Sequence, residues 1–192
     1  MPHREGDRAS VRLGVTGQDM NERRNIILVG PMGSGKSAVG RQLARALRMP
    51  FVDSDSEIER RTGVDIPLIF EKEGEAGFRV RERDVIADLL RAEGIVLSTG
   101  GGAVLLEENR RLLGERGLVV YLETSVKQQA QRVRSGENRP LLAGTADPAT
   151  KLDELMTKRA PLYSALATIT VSTDGMRVPQ VVERILGQLP RN

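Results

Sequence analysis

From Asn25 onward, short apolar runs alternate with longer stretches whose apolar positions recur every three or four residues. The runs Ile26–Val29, Phe51–Asp53, Ile95–Ser98, Leu118–Leu122 and Thr168–Val171 read as strands. Between and after them the helical spacing predicts helices over Ser37–Leu47, Ser56–Arg61, Glu75–Ala92, Glu107–Glu115, Ser125–Val133, Pro148–Ser164 and Val178–Leu189. Strands that alternate with helices build an α/β domain: a five-stranded parallel sheet flanked by helices on both faces. Residues 1–24 mix charges with Gly and Ser without periodicity and are expected to form a disordered tail, leaving 25–192 as a single domain. Two stretches interrupt the alternation. One spans about 56–83, where Gly63, Pro67, Gly74 and Gly77 break the helical pattern; the other is the polar segment of about 134–148. Insertions of this kind at the carboxyl edge of such a sheet usually bind or cover ligands.

The first strand runs directly into Gly30-Pro31-Met32-Gly33-Ser34-Gly35-Lys36-Ser37, which fits G-x-x-x-x-G-K-[ST], and a helix follows. That strand–loop–helix context is what a phosphate-binding loop needs. Glycine lets the loop curl so that its N–H groups face phosphate oxygens, and the helix N-terminus adds partial positive charge. Lys36 is placed to reach β- and γ-phosphates, and the Ser37 hydroxyl to hold Mg²⁺. The chain is therefore expected to bind a nucleoside triphosphate.

Four further segments carry candidate chemistry. Asp53 and Asp55 sit at i and i+2 at the end of the second strand, so on extended backbone both carboxylates would point to one side. One could organise Mg²⁺ or accept a proton, and the other could bind substrate hydroxyls. Asp55 alone also reads as a helix N-cap ahead of Ser56-Glu57-Ile58. In Gly77-Phe78-Arg79-Val80-Arg81-Glu82, Glu82 is placed to steady Arg79, either as an anion clamp or as a surface ion pair. Ser98-Thr99-Gly100-Gly101-Gly102 ends a buried strand in three glycines, which suggests close backbone approach to a ligand. In the second insertion, Asn138-Arg139-Pro140-Leu141-Leu142 offers a lid arginine; Arg132 lies at its hinge, where it could stack on adenine. Arg159 precedes Tyr163 by four residues on the following helix and, taken alone, also reads as an exposed helix arginine.

Composition narrows the chemistry. The chain has no Cys and one His, His3, in the expected tail. Thiolate nucleophiles, disulfides and His-based catalysis or zinc ligation are thereby disfavoured. The net charge of +3 is modest, and three Phe, two Tyr and no Trp leave few stacking platforms, so no nucleic-acid partner is expected. Absence of a long apolar run argues against a membrane span, and a soluble, cytoplasmic protein is expected.

Together GPMGSGKS, FVDSD, GFRxxE, STGGG, RPLL and the RxPLY helix, in this order, make the stretch from Asn25 to Leu189 resemble the shikimate kinases. The resemblance implies a three-layer P-loop kinase fold with a lid and a substrate-binding insertion. It also implies ATP- and Mg²⁺-dependent phosphorylation of the 3-hydroxyl of shikimate, on the route to chorismate and aromatic amino acids. By the same resemblance Gly33, Ser34, Gly35, Lys36, Ser37 and Ala38 would hold ATP, with Ser37 and Asp53 serving the metal. Lys36, Asp53 and Arg139 would be catalytic. Asp55, Arg79, Gly101 and Arg159 would bind shikimate, the two arginines by its carboxylate, while Arg132, Arg139 and Arg177 would border the nucleotide. A monomer is expected. Another small-molecule kinase, acting on gluconate or a nucleotide, is the nearer alternative; a non-catalytic nucleotide switch is the farther one, and the chain has no N-K-x-D guanine-reading pattern to support it.

Overall fold

The computed structural model describes residues 24–134 and 147–190. Its centre is a five-stranded, wholly parallel sheet in the order β2-β3-β1-β4-β5. The strands are β1 (Asn25–Val29), β2 (Phe51–Asp53), β3 (Val96–Ser98), β4 (Gly117–Glu123) and β5 (Ile169–Ser172). The helices are α1 (Lys36–Leu47), α2 (Ser54–Thr62), α3 (Ile66–Leu89), α4 (Glu107–Arg116), α5 (Val126–Arg134), α6 (Pro148–Leu166) and α7 (Val178–Gln188). A short 3₁₀ turn, Ala103–Leu105, follows the glycine triplet.

The two-residue period of a strand divides β1 between two cores. Ile26 and Leu28 face Val39 and Leu43 of α1 and Val182 and Ile185 of α7. Ile27 and Val29 face the other way, with Ile86 of α3, Leu113 of α4 and Tyr163 of α6. A third, smaller cluster of Ile58, Ile69, Phe78 and Val85 joins α2 to α3. Apolar residues on both faces of β1 and β4 are what a parallel sheet buried on both sides requires.

The insertion of 56–83 proves more regular than its glycines and proline suggest. Asp65 caps α3, accepting from the Leu68 N–H at 3.0 Å. Pro67 lies in the first helical turn, where a missing N–H is tolerated. Gly77 stays helical, and the break is confined to Gly74, whose φ of 69° and ψ of −177° kink the helix without ending it. The stretch is a pair of helices packed on their own small core. No helix among the described residues is long and apolar enough to cross a membrane. The expected tail lies almost wholly outside the described residues, and so does most of the 134–148 segment, residues 135–146 with Arg139 among them.

Candidate active site

The register of the sheet brings the candidate residues to one edge. Asp53 pairs with Ser98, and Ser98 also pairs with Leu28, so β1, β2 and β3 end side by side. The chain leaves them as the phosphate loop, the start of α2 and the glycine triplet. These segments, with Arg79 and Glu82 of α3, Arg132 of α5 and Arg159 of α6, line a cavity of about 610 Å³.

On one side stands the phosphate loop. Gly33 and Gly35 have φ of 77° and 87°, the left-handed region that side chains disfavour, so glycine is needed at both. Gly35 precedes the first turn of α1, and Lys36, Ser37 and Ala38 border the cavity from there. The Lys36 ammonium donates to the carbonyls of Gly30 and Pro31, both at 2.8 Å, and approaches Ser34 Oγ at 3.3 Å. Ser34 is buried beneath the loop and does not line the cavity. Ser37 donates its hydroxyl proton to Asp53 Oδ2 at 2.7 Å.

Asp53 is the N-cap of α2: its Oδ1 accepts from the N–H groups of Asp55 at 3.1 Å and Ser56 at 3.3 Å. Asp55 is already helical, in the first turn of α2. The strand-alternation argument for this pair therefore fails, because the chain turns into a helix between the two residues. Both still line the cavity, since the cap swings the first turn of α2 over its rim. The expectation that Asp55 is the cap is also corrected; that role belongs to Asp53.

A second group of charges lines the same cavity. Arg79, 8 % exposed, donates to Glu82 at 2.7 Å and to Glu75 at 2.9 Å. Glu82 is fully buried. Burial pushes its carboxyl pKa up, against the pull of Arg79 and Arg159. Burial opposes the charge on Arg79 as well, but Glu82 and Glu75 outweigh it and hold the guanidinium charged. The ion pair is thus buried rather than on the surface. Arg159 is 4 % exposed, not an exposed helix residue. The glycine triplet runs between these groups. A Cβ on Gly100 would stand 2.6 Å from Glu82 Oε1 and 2.7 Å from Asp55 Oδ1, and one on Gly102 would collide with the Arg79 guanidinium. Absent side chains at 100 and 102 are therefore what let two carboxylates and an arginine converge here.

Arg132 donates to the Gly33 carbonyl at 3.0 Å and to Thr173 Oγ1 and O at 3.2 and 3.1 Å. It bridges the phosphate loop to the turn after β5. Arg177 does not border the cavity; it precedes α7, with its N–H donating to Gln180 Oε1 at 2.9 Å. Sequence reasoning missed an apolar wall of Ile66, Pro67, Phe70 and Phe78 along the same cavity. The two rings pack with centroids 4.8 Å apart. The signal for it is the apolar set Ile66, Leu68, Ile69 and Phe70 beside Pro67.

One cavity is thus lined by a phosphate loop and by two buried arginines. The sequence model of the shikimate kinase family matches residues 32–190. The chain belongs to the shikimate kinase family. Members are ATP-dependent kinases that phosphorylate a hydroxyl group. A shikimate kinase of Thioalkalivibrio sulfidiphilus is 57 % identical over 166 residues, covering 86 % of this chain and 87 % of the relative. A solved shikimate kinase of Acinetobacter baumannii, in complex with shikimate, superposes with a TM-score of 0.85 at 46 % identity, covering 90 % and 99 % of the two chains. A gluconokinase of Sinorhizobium meliloti, at 18 % identity and a TM-score of 0.59, shares the fold alone.

Proposed function

We propose that this chain transfers the γ-phosphoryl group of ATP to the 3-hydroxyl of shikimate, giving shikimate 3-phosphate and ADP. The observation that carries the reading is the pair of buried guanidiniums, Arg79 and Arg159, lining the same cavity as Lys36 and Ser37. Two buried cations in the same cavity as a phosphate site suit an acceptor with a carboxylate, which takes charge-assisted hydrogen bonds from guanidinium. The wall of Phe70, Phe78, Ile66 and Pro67 suits the carbon ring of such an acceptor, and Asp55 its hydroxyls. A neutral polyol would leave both arginines without an anionic partner.

The residues present also fit Mg²⁺. Ser37 and Asp53 offer a hydroxyl and a carboxylate oxygen beside the phosphate loop, both hard donors. Among the described residues no cluster of three or more carboxylates or histidines surrounds them. That suits an ion that keeps several waters and phosphate oxygens. When bound, Mg²⁺ neutralises charge on the β- and γ-phosphate oxygens. Asp53 has Oδ1 taken up by the α2 cap and Oδ2 by Ser37, which favours its acting as organiser of the metal side rather than as a base. Asp53→Asn should then lose turnover in a way that raised Mg²⁺ partly restores. A loss that no Mg²⁺ concentration relieves would favour the base.

Lys36 and the loop amides hold the donor phosphates, the helix N-terminus adding its dipole. Arg79 and Arg159 hold the acceptor's carboxylate and so orient its hydroxyl toward the γ-phosphate. ATP as donor supports a cytoplasmic reaction. The test is ADP release measured with shikimate, gluconate and nucleoside monophosphates in parallel. Turnover dependent on shikimate alone is expected, and turnover with either other acceptor but not with shikimate would overturn the reading.

A further inference from the structure

Helix α6 turns two polar side chains inward one turn apart, Arg159 and Tyr163. Tyr163 is completely buried, and its ring stacks on Tyr121 of β4 with centroids 5.0 Å apart. A phenylalanine would fill that space equally well, so the hydroxyl calls for a reason of its own: a buried polar group is tolerated only when paired. Its proton goes to the carbonyl oxygen of Gly101, the middle residue of the glycine triplet. Burial raises the phenol's pKa, and the nearby Arg159 guanidinium opposes that rise. The Arg159 guanidinium also lies close to Gly101, 3.7 Å from where a Cβ on that residue would stand.

The remaining ties of the triplet lead elsewhere. The Thr99 N–H and hydroxyl both donate to the Leu28 carbonyl at 3.1 Å, and the Gly100 N–H donates to Ser54 Oγ at 3.1 Å. These bonds secure the start of the triplet to β1 and α2. Tyr163 secures its middle to α6. Because the peptide unit is planar and trans, fixing the Gly101 carbonyl also fixes the direction of the Gly102 N–H. The Ala103 N–H donates to the Gly100 carbonyl at 3.1 Å and closes a turn around this peptide, but the central peptide of such a turn can still flip where glycine follows it, and the Tyr163 hydroxyl selects one orientation.

We propose that Tyr163 is a positioning residue for the acceptor: its hydroxyl locks the Gly101 peptide to the helix that carries Arg159, so that the backbone of the triplet and the Arg159 guanidinium meet the acceptor as one preformed surface. The proposal rests on the reading of Gly101 and Arg159 as acceptor contacts. It gives α6 a second task beyond supplying an arginine.

Tyr163→Phe keeps the ring and the stack and removes only the hydroxyl. The KM for shikimate should rise about five- to ten-fold, the loss of one neutral hydrogen bond, with the KM for ATP unchanged. Tyr121→Phe, which alters the other ring of the stack, should change neither constant. A Tyr163→Phe enzyme with an unaltered shikimate KM, or with both KM values raised together, would overturn the proposal. Arg159→Ala, measured alongside, separates the two levels. If it leaves the shikimate KM unchanged, the acceptor assignment itself falls; if it raises that KM while Tyr163→Phe does not, only the role of Tyr163 falls. Should Tyr163→Phe fail to fold, the wild-type protein still decides. With only two tyrosines, 3-fluorotyrosine labelling yields two fluorine resonances, assigned through Tyr121→Phe. Saturating shikimate should shift the Tyr163 resonance more than saturating ADP does. No shift with shikimate, or a larger one with ADP, would overturn the role.

Discussion

The two halves of the cavity are built on opposite plans. The core of the donor half is one continuous segment, Gly30 to Ala38, with backbone amides, a helix terminus and one lysine, to which Asp53 and Arg132 are added from β2 and α5. The acceptor half draws Asp55 from α2, Arg79 and Glu82 from α3, the triplet after β3 and Arg159 from α6. Backbone geometry makes the first; side-chain pairing across packed elements makes the second. The donor half should thus be sensitive to loop conformation and to its one cation. The acceptor half should be sensitive to whatever holds its arginines in place, including residues that touch no ligand.

The largest effect should come from the donor side. Lys36→Ala removes the cation assigned above to the donor phosphates, and under that proposal kcat should fall about 10²–10³-fold. A change confined to the shikimate KM would break the division into halves. Arg79→Ala should act oppositely, raising the shikimate KM about 10–100-fold, the loss of a charged hydrogen bond, while the ATP KM stays put. It also strands Glu82 in the interior, so the melting temperature should drop, and Arg79→Ala with Glu82→Gln should recover part of that drop but none of the shikimate affinity.

A subtler probe is Gly102→Ala. Its methyl would meet the Arg79 guanidinium, which Glu82 and Glu75 hold in place, so the arginine must move. About a ten-fold rise in shikimate KM is expected with ATP binding intact, by steady-state kinetics with each substrate varied. An unchanged KM would show that Arg79 has slack there.

The smallest expected effect is in stability against pH. Burial raises the folded-state pKa of Glu82, so from the unfolded value near 4.5 upward the folded protein holds more protons than the unfolded chain. Stability from this group is greatest below that value and is lost as pH rises through the folded pKa. Glu57 works the other way. Hydrogen bonds from Arg60 and Arg61 lower its pKa to about 2, so its contribution is present above about 4.5 and fades as pH falls toward 2. That pair lies at the surface, so its share is small. Thermal unfolding across this range should show Glu82→Gln flattening the upper slope and Glu57→Gln the lower one.

Much of this was legible before any coordinates. The apolar runs mark all five strands to within a residue, because β1, β3 and β4 are buried on both faces and read as continuous apolar stretches, while β5 alternates buried and exposed positions. The full length of helix α3 is not legible in the sequence, since Pro67 and Gly74 look like stops when their place in the turn is unknown. The Asp53–Asp55 pair was found for a wrong reason: strand alternation was assumed where the chain had already begun a helix. The apolar wall of Phe70 and Phe78 was missed because nothing in a local pattern says which face of a helix looks into a cavity.

What the sequence by itself determined is the donor half, since a phosphate loop is local: consecutive residues, with glycines at the positive-φ positions, are the whole device. Its motifs also named most of the acceptor side chains one by one. Only the tertiary structure decided that Arg79 and Arg159 are buried, that Glu82 has no exposure at all, and that Tyr163 reaches Gly101 across 62 positions of chain. The physical reason is that burial and charge pairing belong to packed elements, and no stretch of residues carries its own neighbours.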